Sequence, residues 1–339
     1  MTHRPDTPSP PLQKAAPPPQ QPASLLPAPL PIVLLAGPTA VGKTALSLDL
    51  AEILGTEIIN ADSMQVYRDM DIGTAKPTPE ERARIRHHLM DVVNPDEHYD
   101  AALFVQQARP IIEALHAQGK IPLVVGGTGL YMKALTRGLC PGPGADPEIR
   151  RTILQDLQRH GLPLLYEELR RMDPVCAAKI HPNDRQRIVR ALEVFRSTGV
   201  ALSQWQEAHG FRHSLYRTVK IALCRERRDL HERINRRVLA MMAQGLLDEV
   251  RTLLDKGYPC TLKSMQSLGY RHMCLFLSGT VSLDEAVRLM QRDTRRYAKR
   301  QITWFKGDPE FRWFHADEPQ KITTWVLQAL DQDRSRFTL

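Results

Sequence analysis

The chain is 339 residues long with 42% apolar residues, which fits a soluble globular protein of one large domain or two ordinary ones. A net charge of +8 suits a partner that carries negative charge. No run approaches the roughly 20 apolar residues of a membrane span and no secretory pattern opens the chain, so a membrane protein is excluded and a cytoplasmic location is expected.

Residues 1–30 are dominated by Pro, Ala, Gln and Ser, a composition that cannot bury enough apolar surface to offset its ordering entropy. A disordered, partly polyproline tail is expected, an inert extension sooner than a docking site for a proline-binding partner. Residues 32–36 then read as a buried strand. They run into Gly37-Pro38-Thr39-Ala40-Val41-Gly42-Lys43-Thr44, which fits the phosphate-loop template G-x-x-x-x-G-K-[ST] without a mismatch, and a helix over 45–54. Glycines let backbone N–H groups turn inward around a phosphate, and the helix starting near Lys43 aims the positive end of its dipole at the same point. Lys43 would reach the outer phosphate oxygens, and the Thr44 hydroxyl is placed to hold a Mg²⁺ that bridges them. The loop alone does not say whose phosphate it binds.

Residues 57–61 form a second predicted strand ending in Asp62-Ser63-Met64-Gln65, and 66–77 a loop closed by proline. A polar cluster at the carboxyl end of a parallel strand is where open α/β sheets put their chemistry. Asp62 suits a metal-binding acid or a general base there, with Ser63 and Gln65 able to read a base edge; a capping aspartate accounts for it equally well. A charged helix from Pro79, a third strand over 87–93, a helix over 101–119 and a fourth strand over 121–125 follow. The fourth strand leads into Gly126-Gly127-Thr128-Gly129, whose glycines either let a ligand approach the backbone beside Thr128 or make a tight left-handed turn. Strands alternating with helices imply a parallel sheet with right-handed crossovers.

The character changes over 138–212, which begins near Pro141-Gly142-Pro143-Gly144 and is charged and helical by period. A helical insertion domain is predicted there, between a first core part over 31–137 and its continuation over 213–310. Inside it, Arg187 and Arg190 share a helical face with Gln186 beside them, a small patch for phosphates or merely a solvated face. The core resumes with a strand over 218–223 and a helix carrying Arg233, Arg236 and Arg237. Helices are then expected to the end, with 311–339 a tail segment. In the basic helix over 283–305, Arg288, Arg292, Arg295 and Lys299 fall at steps of four, three and four, with no acid but Asp293 near them. A stripe of about 15 Å results, which tracks a nucleic-acid backbone. Tyr297, Trp304 and Phe305 read as core anchors sooner than as stacking platforms. Cys140, Cys176, Cys224, Cys260 and Cys274 show no C-x-x-C pair and no zinc spacing, so reduced thiols are expected.

Taken in order over 32–307, GPTAVGKT, ADSMQVYRDMDIGTAKP, PLVVGGTGLYMKAL, DPVCAAKIHPNDRQRIVRALEVF, SLGYRHM and AKRQITWFKGD resemble the bacterial tRNA dimethylallyltransferases, or tRNA isopentenyltransferases. The resemblance implies an α/β fold: a P-loop NTPase-like parallel sheet core with a helical insertion domain and C-terminal helices. It implies transfer of a dimethylallyl group from dimethylallyl diphosphate to N6 of the adenosine at position 37, 3′-adjacent to the anticodon, in tRNAs reading codons that start with U. Mg²⁺ would be the cofactor and diphosphate the product. The phosphate loop from Gly37 to Thr44 would hold this leaving group and not ATP, and the target nucleotide would be flipped into a channel to meet the donor.

By position in the same resemblance, Asp62 is the general base that accepts the N6 proton, and Ser63, Met64 and Gln65 belong to the base-contacting segment. Thr128 contacts the nucleotide or the donor's bridging oxygen. Arg150, Gln186, Arg187, Ile188, Val189, Arg190, Gln266, Ser267, Leu268, Gly269, Tyr270, Arg271, Lys299, Arg300, Gln301, Trp304 and Lys306 fall on segments that grip the anticodon stem-loop. His272 departs from the pattern, which often has Gln there. The zinc finger of the eukaryotic relatives has no counterpart, so a bacterial-type, monomeric enzyme is expected. An adenylate isopentenyltransferase acting on free AMP or ATP would need neither the insertion nor the basic helix. A P-loop kinase of a small metabolite leaves QRIVRALEVF and KRQITWFKG without a place, and a GTPase would need an N-K-x-D element that is absent.

Overall fold

The apolar run before the phosphate loop forms β1 (Pro31–Ala36), buried from Ile32 onward on both faces, as a central parallel strand requires. In this computed structural model the described residues are 29–140, 144, 146–210 and 214–334, so the tail expected over 1–30, but for its last two residues, and the break expected over 141–144, but for Gly144, lie outside them. After β1 come α1 (Lys43–Ile53), β2 (Ile58–Asn60), α2 (Pro79–Arg84) and β3 (His87–His88). Next are α3 (Ala101–Ala117), β4 (Leu123–Gly126) and α4 (Gly129–Arg137). Local chemistry explains the helix starts. Thr78 and Glu81 close a capping box on α2, and the Asp100 carboxylate accepts the first N–H groups of α3.

Four helices follow: α5 (Pro147–Met172), broken at Gly161, then α6 (Pro174–Ala177), α7 (Arg185–Thr198) and α8 (Leu202–His209). The chain continues through β5 (Arg217–Cys224), α9 (Arg227–Ala243), α10 (Leu246–Asp255) and α11 (Tyr270–Leu277). It ends with α12 (Leu283–Lys306), β6 (Arg312–His315) and α13 (Pro319–Arg334). The described chain divides into two compact units, one running up to Gly138 and again from Ser214 onward, the other starting at Leu139 and holding α5 to α8. The second has its own core, in which Ile153, Leu165, Leu169, Ile188 and Leu192 pack together.

The first unit is built on six parallel strands in the order β3-β2-β4-β1-β5-β6. Alternation along β1 sends Ile32, Leu34 and Ala36 to one face, against Phe104, Ile112 and Leu135, and Val33 and Leu35 to the other, against Leu46, Leu50 and Ile234. Register decides function. Ala36 pairs with Gly126 of β4 and Ala222 of β5, and Asn60 of β2 pairs with Val125, so these strands end level and their following loops emerge along one edge.

Two expectations need correction. The third strand stops at His88, because Leu89 and Asp91 stand at φ of 60° and 54°, outside the extended region. The end of the chain is not helical throughout: Arg312–His315 add strand β6 beside β5, and Ile322, Val326 and Leu330 of α13 complete the core beneath it. The cysteine reading is also revised. Cys260 and Cys274 form a disulfide with Cα atoms 6.0 Å apart, while Cys140, Cys176 and Cys224 are free thiols. A bridge closing so short a loop stabilises by about 3 kcal/mol in the chain-entropy picture. Alkylation of the unfolded, unreduced protein should therefore tag three cysteines and leave Cys260 and Cys274 linked in the mass spectrum; five tags would show a dithiol.

Candidate active site and nucleic-acid surface

The phosphate loop turns between β1 and α1 through Gly37 (φ 150°), Ala40 (φ 65°) and Gly42 (φ 112°). An alanine in the left-handed region is unfavourable, and Arg233 holds it there by donating from Nε to the Ala40 carbonyl at 3.0 Å. Arg225 Nε donates to Val41 O at 2.9 Å, and Lys43 Nζ to the carbonyls of Gly37 and Pro38 at 2.9 and 2.8 Å. With four carbonyls drawn to cations, the opposite side of the peptide planes presents N–H groups to an anion. Burial pushes the Lys43 ammonium down to about 8, with Asp62 opposing the shift and Arg237 adding to it. A bound phosphate would restore its charge.

Asp62 follows β2 at the same edge. Its Oδ1 accepts from Met64 N–H at 2.9 Å, which fixes the carboxylate in a short turn. Ser63 N–H donates to Thr128 Oγ1 at 3.0 Å and Thr128 N–H to Ala61 O at 3.2 Å, so the turns after β2 and β4 are fastened together. Close packing explains the glycines of the β4 turn. A Cβ at Gly126 would lie 2.1 Å from Ala61 O, one at Gly127 2.2 Å from Gln301 Nε2, and one at Gly129 2.0 Å from the Trp304 ring. None of the three stands in the left-handed region, so they make room for protein groups. The expectation of a left-handed turn is revised, while Gly126 also lines the cavity described next.

Gln301 of α12 joins these parts. Its Oε1 accepts from Thr39 N–H at 2.9 Å and its Nε2 donates to Gly127 O at 3.0 Å, which commits both ends of the amide to backbone. It positions the phosphate loop from the cavity wall. In front of it lies a cavity of about 560 Å³ lined by Thr39 to Thr44, Asp62 to Gln65, Gly73 to Ala75, and Gln266, Ser267, Leu268 and Arg271. Arg233, Arg237 and Arg300 also line it, against the acids Asp62 and Glu81, so the walls are predominantly cationic. Ser267 Oγ is buried with no hydrogen-bond partner, as expected of a hydroxyl that meets a ligand.

Other residues expected to touch RNA also hold protein. Gln65 Nε2 donates to the carbonyls of Thr74 and Ala75, and Gln266 Nε2 to that of Cys260. Tyr270 is fully buried against Gly73, and Gly269 is buried beside it. Lys299, Arg300 and Lys306 are exposed, with Arg300 lying over the Tyr297 ring. Phe305 is core, but Trp304 is 42% exposed and is no core anchor. The stripe expected to have no acid but Asp293 near it is revised too: Glu285 pairs with Arg288 at 2.6 Å, while Asp293 pairs with Arg292 and Asn235 with Arg295.

Within the unit of α5 to α8, Arg150 and Arg190 both reach Glu193 Oε2, at 3.3 and 3.1 Å, and Arg187 reaches Asp184. Gln186 is exposed, whereas Ile188 and Val189 face the apolar core and hold α7 in place instead of contacting RNA. Several residues at the site were given no role from the sequence. Arg225 follows the carboxyl end of β5 and Arg233 and Arg237 stand four apart on α9, signals that were legible. Glu249 was not: it accepts from Asp71 N–H (3.0 Å), Ile72 N–H (2.7 Å), Gly73 N–H (3.1 Å) and Tyr270 OH (2.6 Å), bracing the cavity loop from α10.

Comparison with known proteins agrees with this geometry. The family model described as IPP transferase matches residues 65–308, and that described as isopentenyl transferase matches residues 30–94. The tRNA dimethylallyltransferase of Syntrophobacter fumaroxidans is 59% identical over 299 residues, 88% of this chain and 87% of that protein. Among solved structures, the tRNA isopentenylpyrophosphate transferase of Bacillus halodurans is 40% identical with a TM-score of 0.68, over 90% of this chain and 98% of that one. A eukaryotic dimethylallyltransferase acting on tRNA is 32% identical with a TM-score of 0.71, over 85% of this chain and 74% of that one.

Replacing Gln301 by Leu removes both amide bonds and leaves Thr39 N–H and Gly127 O without partners, about 1–3 kcal/mol each. Thermal unfolding should shift down by several degrees and inorganic diphosphate should bind more weakly. An unchanged melting temperature would show that the clamp does not form in solution.

Proposed function

This chain belongs to the IPP transferase family and is an enzyme of the tRNA dimethylallyltransferase class, and from that premise we propose how its residues divide the reaction. The donor is dimethylallyl diphosphate and the acceptor is N6 of adenosine 37 in tRNAs that read codons beginning with U. The enzyme acts as a cytoplasmic monomer. What supports the assignment is one observation: Lys43 with its loop, Asp62 and the β4 turn stand side by side on a single sheet edge, around one cationic cavity.

The N–H groups and Lys43 of the phosphate loop bind the diphosphate, and Arg233 and Arg237 add positive charge around it. As the allylic C–O bond breaks, negative charge grows on the departing diphosphate, where these cations lower the barrier. The N6 amine is a weak nucleophile because its lone pair is delocalised into the ring. Asp62 takes its proton as the C–N bond forms, so the products are N6-isopentenyladenosine and diphosphate. Thr128 acts by fastening Ser63, and with it Asp62, to the β4 turn. The Thr44 hydroxyl beside the phosphate loop and only two carboxylates, Asp62 and Glu81, in the cavity wall fit Mg²⁺, which takes one or two protein ligands and otherwise substrate phosphate and water. Held by Thr44 and the diphosphate oxygens, that ion would supply further charge neutralisation to the leaving group. Among the described residues no helix is long and apolar enough to cross a membrane.

Asp62→Asn keeps an acceptor for Met64 N–H but removes the base, so single-turnover transfer to tRNA should fall about 10²–10⁴-fold with RNA affinity nearly unchanged. Collapse of RNA binding with intact chemistry would refute the role. Labelled dimethylallyl diphosphate offered with bulk tRNA, AMP and ATP separately should mark tRNA alone; label in AMP would make the chain an adenylate isopentenyltransferase, and ATP hydrolysis a kinase.

Lys43 supplies a pH test. Phosphate binding favours its protonated form, which in the empty enzyme is lost as pH rises through about 8. The donor's own ionisation is nearly complete by about pH 7. Affinity for dimethylallyl diphosphate should thus weaken up to about tenfold per pH unit above 8. Calorimetric titrations that stay flat between pH 7 and 9.5 would exclude Lys43 as the contact.

A further inference from the structure

Beyond the first turn of α12, Asp293 is the only acid in a helix with six further basic side chains before its last turn. Its Oδ2 accepts from Arg271 Nη2 of α11 at 2.6 Å and its Oδ1 from Arg292 Nε at 2.9 Å, while Arg296 Nη1 comes within 3.6 Å of Oδ1. One negative charge therefore gathers three positive ones. A carboxylate offers about four lone-pair sites and three guanidiniums about fifteen N–H donors, so most of the donors are left for another anion. Asp293 itself is largely buried, but the arginines around it are exposed by a third or more. Its carboxyl is held down to about 2, the pull of Arg292, His272 and Arg271 outweighing the opposing effect of burial.

His272 completes the arrangement from below. Gly269 N–H donates to His272 Nδ1 at 3.3 Å, so in the neutral ring the proton sits on Nε2, which points at Asp293 Oδ2 from 3.4 Å. The imidazole thus ties the carboxylate to the buried start of α11. Arg271 and Thr294, its neighbours on α11 and α12, line the cavity that holds Asp62.

We infer that Asp293 is a positioning residue for the acceptor: it draws Arg271, Arg292 and Arg296 into one clamp for an RNA phosphodiester beside the cavity. The clamp rests on the reading of RNA as the acceptor. Without the carboxylate, three like charges repel and spread, and each contacts phosphate alone. Arginine forks suit this task because each can present paired N–H groups to a phosphate.

The inference makes a prediction opposite to that of charge alone. Asp293→Asn raises the net charge by one, which by simple electrostatics tightens RNA binding and steepens its salt dependence. Loss of the clamp instead weakens binding about five- to tenfold and makes the slope shallower by about one phosphate contact. Fluorescence anisotropy with bulk tRNA over a salt series reads both signs, and unchanged affinity for dimethylallyl diphosphate on the same sample reports an intact fold. Tighter binding, a steeper slope, or no change would overturn the inference. Should Asp293→Asn unfold, Arg271→Gln and Arg292→Gln decide: in one clamp the double variant loses less than the sum of the singles, whereas additive losses would refute it. His272→Gln, which keeps one acceptor and one donor, should bind as the parent does, and His272→Leu more weakly; equal loss in both would also count against it. If the parent enzyme binds no tRNA, the functional reading itself fails, and this clamp with it.

Discussion

Ala36 stands level with Gly126 on one side and Ala222 on the other, and the site depends on that alignment. Because the strands are parallel and end together, the loops leaving β1, β2, β4 and β5 meet at one edge without any long excursion of the chain. Phosphate loop, Asp62 and Arg225 come from segments far apart in sequence, yet each has only a turn's length to travel. A shift of one residue in the β2–β4 register would turn alternate side chains to the wrong face and separate Thr128 from Ser63.

The second organising feature is the use of charge to aim backbone. Arg225, Arg233 and Lys43 engage the phosphate-loop carbonyls, while Gln301 takes Thr39 N–H from the other side. The same logic recurs inverted at Glu249, where one carboxylate collects three consecutive N–H groups of the loop across the cavity. Both hold irregular backbone in a single conformation, so that binding does not have to order it. Asp293 extends the pattern to side chains, with one acid setting the spacing of several cations.

Where sequence reasoning succeeded, the signal was local. The phosphate loop has a fixed spacing because its N–H groups must converge on one anion, and the buried strands announce themselves as apolar runs of the right length. Where it failed, a distant partner decided. The glycines of the β4 turn looked like a left-handed turn because nothing nearby in sequence reveals that Ala61, Gln301 and Trp304 occupy that space. Tyr270 and Gln301 lay in segments read as RNA-facing, but one is buried on Gly73 and the other is spent on two backbone groups. Cys260 and Cys274, fourteen residues apart, carry no spacing signal and meet only through the fold of the intervening turn. β6 is four residues long with one buried side chain, too short for alternation to stand out.

By itself, then, the sequence determined the fold class, the phosphate loop and the resemblance to a prenyltransferase family, since each is written in short-range pattern and residue spacing. Only the tertiary structure decided which of the candidate side chains face the cavity and which are consumed in holding it, that Ile188 and Val189 belong to a core, and that Arg271, Arg292 and Arg296 share one carboxylate. The physical reason is that a polar side chain's role depends on whichever group completes its hydrogen bonds. In this protein those groups are contributed by strands and helices tens to hundreds of residues away.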